Sequence, residues 1–263
     1  MGLCEGRVAI VTGASRGIGE AIARRLAEEG ARLAISARTL QPDPRYDGSL
    51  VETAEAIRAR GGEAVPIQCD ISKAHDRHRL IAETEATLGP IDILVNNAAV
   101  TFLIPYEEFP EKRFRLMVEV QLWAPYELGQ LVVPGMKQRG QGWILNVSSR
   151  AASHPLGPPF DPVEKAGLSV YGLVKAGLNR MTTAMAAEYF DHGIAVNSLA
   201  PWHNVATLGA SHHRLVDGFR LEGPEHMAEA ALALCSSPPK QLTGRVAYSQ
   251  PLLEELGIRP NGC

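Results

Sequence analysis

Val8-Ala9-Ile10-Val11-Thr12-Gly13-Ala14-Ser15-Arg16-Gly17-Ile18-Gly19 is the stretch from which the fold can be read. An apolar run short enough for a buried strand meets a glycine-rich turn, and Glu20 to Glu29 then reads as a helix. Glycines let a backbone turn tightly and approach a pyrophosphate, which then sits at the positive end of the helix. The spacing is G-x-x-x-G-x-G, not the commoner G-x-G-x-x-G. By itself such a loop can be no more than a tight turn.

Outward from that turn, apolar runs of strand length fall at 8–12, 31–37, 64–69, 91–95, 143–147, 194–199 and 245–249. Segments of helical periodicity lie between most of them, at 49–60, 76–88, 113–138, 171–190 and 225–236. Strands alternating with helices predict an α/β fold, a doubly wound, Rossmann-like parallel sheet covered on both faces. Such a sheet takes its ligand at the carboxyl ends of its strands, near the point where strand order reverses. The glycine turn, Asp70, Asn96-Asn97 and Ser148-Ser149 each directly follow a predicted strand. With 263 residues and no linker, low-complexity run or internal repeat, a single domain over 1–263 is expected.

Downstream stands Tyr171-Gly172-Leu173-Val174-Lys175. A phenol and an ammonium four residues apart share one helical face. Facing one pocket, the ammonium is expected to pull the phenol pKa down from about 10. A phenol tuned that way exchanges a proton with an alcohol or ketone oxygen near neutral pH. Any helix can carry Y-x-x-x-K by chance, so the pair gains force from the upstream turn.

Thr12 to Gly19, Asn96-Asn97-Ala98, Ser149, Tyr171 with Lys175, and Asn197 through Pro201 follow one another in the order of a known family. Over roughly residues 6 to 246 the chain resembles the short-chain dehydrogenase/reductase superfamily, in its single-domain branch. The resemblance implies that Ser149 hydrogen-bonds the substrate oxygen, Tyr171 transfers the proton, and Lys175 binds the nicotinamide ribose. Ser148 is the competing serine. It also implies a cofactor site built from Gly13, Ser15, Arg16, Gly17, Ile18 and Gly19, with Asp70 and Ile71 near the adenine. Asn97 and Ala98 would lie on the nicotinamide side, joined by Tyr171 and Lys175.

Sites that select NAD place an acidic residue at the end of the second strand. Here that strand ends Ser36-Ala37-Arg38. Arg38, and Arg16 inside the turn, are cations able to grip a ribose 2′-phosphate, so NADP(H) is expected over NAD(H). The alternative is that both arginines are solvated loop residues.

Against the family pattern, Ala99 stands where a glycine is usual, and Trp202 follows Pro201 where a glycine is usual. Gln121 takes the place of an asparagine that helps relatives hold a water relay behind the lysine, so it could keep that relay only with shifted geometry. Two segments are expected to form substrate loops, at about 150–170 and 202–224. The first carries His154-Pro155-Leu156-Gly157-Pro158-Pro159-Phe160-Asp161-Pro162, too proline-rich for a helix. The second is read as a lid. His203, His212 and His213 fall in it without acidic or thiol partners at ligand spacing, so no metal is expected. Leu156, Phe160, Trp202 and Leu208 would give apolar walls. Leu252 to Pro260 departs from the family's usual glycine-pair ending.

Net charge is −3 with both signs dispersed, which leaves no footprint for nucleic acid or an anionic membrane. No apolar run is long enough to span a bilayer. The first six residues lack a signal-peptide core, and Cys4, Cys69, Cys235 and Cys263 form no metal or redox spacing. Reduced thiols in a cytoplasmic protein are expected. The resulting expectation is an NADP(H)-dependent oxidoreductase interconverting a secondary alcohol and a ketone or aldehyde of a mainly hydrophobic small molecule. By resemblance it would work as a homodimer or homotetramer built on its central helices. The alternative is a cofactor-binding scaffold or redox sensor with impaired turnover.

Overall fold

Val8 and Ile10 point to one apolar layer, while Ala9 and Val11 point to another. The same alternation sends Leu33 and Ile35 one way and Ala34 the other, and Trp143 and Leu145 one way and Ile144 the other. Period-two side chains that are apolar on both faces fit only a sheet sandwiched between helices. A computed structural model describes residues 2–44, 47–162, 165–205 and 221–260. It forms β1 (Val8–Thr12), β2 (Arg32–Ala37), β3 (Glu63–Gln68), β4 (Ile91–Asn96), β5 (Gly142–Val147) and β6 (Ile194–Ala200). Two short strands, β7 (Asn204–Val205) and β8 (Leu221–Glu222), pair with each other, and β9 (Val246–Tyr248) closes the main sheet. The seven-stranded sheet has the order β3-β2-β1-β4-β5-β6-β9 and is parallel throughout.

One layer is filled by α1 (Gly17–Glu28), α2 (Leu50–Arg58), α7 (Pro224–Ser236) and α8 (Ser249–Leu256), through Ile22, Leu26, Leu50, Met227 and Leu252. The other is filled by α3 (Ala74–Leu88), α5 (Ala124–Arg139) and α6 (Ser169–Tyr189), through Leu80, Leu128 and Ala186. Each large aliphatic side chain buried this way stabilises the fold by roughly 1.5–3 kcal/mol. That exceeds what a surface ion pair supplies, so alternating burial sets the register of the sheet. The register brings Thr12 beside Ser36, Asn96 beside Asn146, and Asn146 beside Ser198. The loops after β1, β2, β4 and β5 therefore rise along one edge, around the point between β1 and β4 where strand order reverses.

The strand runs match expectation to within a residue or two, but the long helix expected at 113–138 is interrupted. It divides into α4 (Glu111–Val118), a π turn over Glu119–Trp123, and α5. Pro125 supplies the reason. It has no N–H to offer the carbonyl of Gln121, and its ring crowds that turn, so the helix widens locally. The last strand is shorter than read from sequence, because Ser249 already begins α8. Of the second expected loop, 202–205 and 221–224 are described, and Leu208, His212 and His213 lie outside the described residues.

Candidate active site

The edge formed by β1, β2, β3 and β4 encloses a cleft of about 1020 Å³ lined by Gly13, Ser15, Arg16, Arg38, Asp70, Ile71, Asn97 and Ala98. Gly17, Ile18 and Gly19 form the first turn of α1, whose N-terminus faces this region. Gly13 has φ +67°, and a Cβ there would stand 2.8 Å from the Ala98 Cα, so only glycine lets the turn touch the end of β4. The contact is fastened by side chains. Thr12 Oγ1 accepts from the backbone N–H of Asn97 and Ala98 at 3.0 and 3.1 Å. The Asn97 amide donates to the Thr12 and Gly13 carbonyls at 2.9 and 3.1 Å. Asn97 thus spends its amide on the glycine turn, while its backbone borders the cleft. Asp70 Oδ1 accepts from the Ser72 N–H and hydroxyl, which fixes the carboxylate at the floor.

The connection from β2 to α2 arches along the same cleft. Arg16 donates to the Asp47 carbonyl at 3.2 Å, and Thr53 Oγ1 donates to the Ala14 carbonyl at 3.1 Å. Ser49 caps α2 reciprocally with Glu52. No carboxylate stands at the end of β2. Asp43, from the arch, does line the cleft, a residue the sequence reading did not weigh. A helix N-terminus, a glycine turn closed to any Cβ and two guanidinium groups suit a dinucleotide phosphate. Arg16, Arg38 and Asp70 would hold the adenosine half, with Ala98 toward the far end.

Ser149, Tyr171 and Lys175 are not among the residues lining that cleft, which is joined to Tyr171 through Val100, a lining residue that packs in the same apolar cluster. Ser149 follows β5 and accepts from the Ala151 N–H at 3.2 Å, capping a short 3₁₀ turn over Arg150–Ala152. That turn packs on α6 beside Gly172, where a Cβ would meet the Ala151 carbonyl oxygen at 2.6 Å. The glycine after Tyr171 therefore lets Ser149 approach it. The hydroxyls of Ser149 and Thr101 both act to lower the Tyr171 phenol pKa, against the burial that raises it. Ser148, the competitor, has a buried hydroxyl with no partner among the described residues.

Lys175 does not do what its spacing predicts. Its Nζ lies 5.8 Å from the centre of the Tyr171 ring and donates to the Val147 carbonyl at 2.8 Å. At 3% exposure its ammonium is costly, and burial brings its pKa down to about 7. Burial also pushes the half-buried Tyr171 upward, and the two hydroxyl neighbours oppose that rise. The expected lysine-driven drop is therefore corrected. A dry pocket disfavours both charged forms, and a lysine brought to about 7 carries only part of its charge near neutral pH.

Gln121 stands at the break in the central helix. It lies in the π turn, 1% exposed, and its Nε2 donates to the Val100 carbonyl at 2.8 Å. No protein bond links it to Lys175 among the described residues. The wall around Tyr171 was missed from sequence. Met117, Val170 and Val174 form a buried cluster with Val100, Phe102, Phe109 and Leu122 against it. Of the expected walls, Leu156 is almost fully exposed, Phe160 is partly so, and Trp202 packs elsewhere. Its indole meets Tyr248 edge-on at 5.6 Å, and Arg150 lies over its other side at 5.1 Å. Its backbone N–H donates to the buried Glu222 and to Ser249, tying the short β7–β8 ladder to the start of α8. Cys4 and Cys69 are buried thiols pushed up to about 11 and about 12, and Cys235 is raised as well, so none is poised as a nucleophile.

A sheet of this order, with a glycine turn at its switch point and Ser149, Tyr171 and Lys175 after β5 and on α6, is the arrangement of one protein family. The chain belongs to the short-chain dehydrogenase/reductase family, whose short chain dehydrogenase profile matches residues 7–208. Hydroxysteroid dehydrogenase-like protein 2 of Xenopus tropicalis is 33% identical over 265 residues, covering 98% of this chain and 60% of that protein. The chain thus spans about 60% of the length of this curated relative. A short chain dehydrogenase from Mycobacterium thermoresistibile superposes with TM-score 0.84 at 34% identity, over 97% of this chain and 89% of that one. A 3-oxoacyl (acyl-carrier-protein) reductase from Agrobacterium tumefaciens, solved with NADP bound, superposes with TM-score 0.79 at 28% identity over 93% of each chain. No helix among the described residues is long and apolar enough to cross a membrane.

Proposed function

We propose that the protein is an NADP(H)-dependent oxidoreductase that interconverts a secondary alcohol and a ketone or aldehyde of a mainly hydrophobic small molecule. The carrying observation is Tyr171, whose pKa the Ser149 hydroxyl lowers, packed in an apolar cluster that shares Val100 with a dinucleotide-sized cleft. Gly13, Arg16, Arg38 and Asp70 would hold the nicotinamide cofactor in that cleft, and its chemistry when bound would be hydride donation to a carbonyl carbon. Tyr171 gives its proton to the carbonyl oxygen as negative charge develops there. Ser149 orients that oxygen through its hydroxyl. Lys175 lies one helical turn on and presents a group for the ribose. Arg38 and Arg16 favour a 2′-phosphate, and the NADP-bound relative is consistent with that preference. The partly buried Val100, Phe102 and Phe109 beside Tyr171 support a hydrophobic substrate, with 150–170 and 202–224 as its bordering loops within a single domain.

The same reading includes a homodimer or homotetramer. Trp123 and Tyr126, on the face between α5 and α6, are 47% and 39% exposed, with ring centres 5.4 Å apart. They border a groove of about 530 Å³ with Leu122, Gly177, Met181 and Ala184, an apolar patch that a second copy would cover. The test is NADPH oxidation with a panel of aromatic, steroid and aliphatic ketones. Turnover that disappears in Tyr171→Phe supports the reading, and tight NADPH binding with no turnover of any ketone overturns it.

A further inference from the structure

We propose that Arg150 forms an anion subsite beside Ser149, so that the substrate carries a carboxylate on its hydrophobic body. The inference rests on the reading of Ser149 as the group that orients the substrate carbonyl. It begins with where the chain places a guanidinium. Arg150 directly follows Ser149 and opens the 3₁₀ turn that packs on α6 beside Gly172. Its side chain reaches the loop after β6, where Nη1 donates to the Trp202 carbonyl at 3.1 Å and Cζ stands 5.1 Å from the centre of the indole. Arg150 is exposed, and among the described residues no carboxylate oxygen lies within 4.0 Å of its nitrogens.

Such a guanidinium is prepared for a ligand. A long side chain loses rotamer freedom when it binds, and the carbonyl and ring of Trp202 already hold this one, so less of that cost falls on association. Only Nη1 has a protein acceptor, which leaves an edge that a carboxylate can bridge with two hydrogen bonds. Hydroxyls stand in the same cluster. Ser153, at the end of the turn, shares a hydrogen bond of 2.9 Å with Tyr248, whose ring meets Trp202 edge-on. One hydrogen is used between the two hydroxyls, so the other is left to donate. The carboxylate of Glu222 does not compete for Arg150. It is 3% exposed, and its oxygens are taken by the Trp202 N–H, the Ser249 hydroxyl and the Gln250 amide. Among the other cations, Lys175 is buried on the Val147 carbonyl, and Arg113 of α4 lies 4.8 Å over Phe102. Chain position decides between Arg113 and Arg150. Consecutive Cα atoms lie about 3.8 Å apart, so a substrate whose carbonyl meets Ser149 brings a carboxylate a few carbons away into reach of Arg150.

The probes are benzoylformate, 3-benzoylpropionate and 4-benzoylbutyrate, each beside its methyl ester. Dissociation constants are measured by isothermal titration calorimetry on the full chain saturated with NADP⁺, which has no hydride to give, and kcat/KM is measured with NADPH. At least one acid should bind the wild type about 10- to 100-fold more tightly than its ester, the worth of a charge-assisted hydrogen bond. That preference should shrink between about 50 and about 500 mM NaCl, because the subsite is open to solvent. Arg150→Gln should bring acid and ester to within about threefold of each other by weakening the acid alone. Arg150→Lys should keep part of the preference, since it keeps the charge without the fork. Arg113→Gln should leave the ratio as it is in the wild type. Acid and ester bound alike by the wild type at all three spacings, or neither bound, overturns the inference. So does a preference that survives Arg150→Gln or disappears in Arg113→Gln instead. Should Arg150→Gln fail to fold, Arg150→Lys and the salt dependence carry the comparison. No turnover of any ketone, with the acid preference intact in the calorimeter, would refute the proposed function and leave the subsite standing.

Discussion

Lys175 donates its Nζ hydrogen to the carbonyl oxygen of Val147, at 2.8 Å, from inside a pocket that leaves it 3% exposed. Strand β5 therefore holds the lysine by its last carbonyl, directly before the serine pair. A backbone carbonyl offers a dipole, not a full charge, so it offsets only part of the desolvation that brings the Lys175 pKa to about 7.

That depression has a consequence for stability. In the unfolded chain the lysine binds its proton up to about 10.4, and in the folded protein only up to about 7. Between those values the unfolded state holds more protons, so stability rises with pH across the window and is lost as pH falls through about 7. Urea unfolding at pH 7 and pH 9 should show the cofactor-free protein more stable at pH 9. Lys175→Met should lack that gain, and equal slopes in the two proteins would contradict the assignment.

Removing the phenol should abolish chemistry without removing the cofactor. Tyr171→Phe should lower kcat on the order of 100- to 10,000-fold, with the NADPH dissociation constant within a few-fold of wild type. Ser149→Ala should cost on the order of 100-fold, and Ser148→Ala far less, since of the two only Ser149 acts on the phenol pKa. Steady-state kinetics on one ketone compares all three.

Cofactor choice can be read at Arg38. Losing one charge-assisted contact to a 2′-phosphate should reduce kcat/KM with NADP by about 10- to 100-fold in Arg38→Ala and leave the value with NAD unchanged. Asp43 lines the same cleft and is the natural competitor for ribose hydroxyls. A wild-type preference for NAD would transfer the selecting role to it.

The exposed aromatic pair predicts an assembly. Trp123→Arg, alone or with Tyr126→Glu, should shift the protein to monomer in size-exclusion chromatography with light scattering, because each puts a charge where a second copy would bury an aromatic ring. A wild-type protein already monomeric at micromolar concentration would remove the reason for that face.

Much of this molecule was legible along the chain. Apolar runs that alternate between two layers marked the strands, and the glycine turn marked the first crossover. Gly13 shows why local sequence sufficed there. The requirement for φ above zero, and for no side chain against Ala98, belongs to the turn itself. The π turn was also foreshadowed by Pro125, although helical periodicity concealed it.

Sequence alone thus determined the sheet, its switch point and the phenol on its helix, because strand alternation, turn geometry and helical spacing are local properties. Only the tertiary structure decided how those groups are tuned. Whether Lys175 is charged depends on how much water the assembled pocket admits. Whether the buried polar groups are satisfied depends on partners such as Val100 for Gln121 and Ile71 and Glu119 for Arg77, which are brought together only when the layers pack.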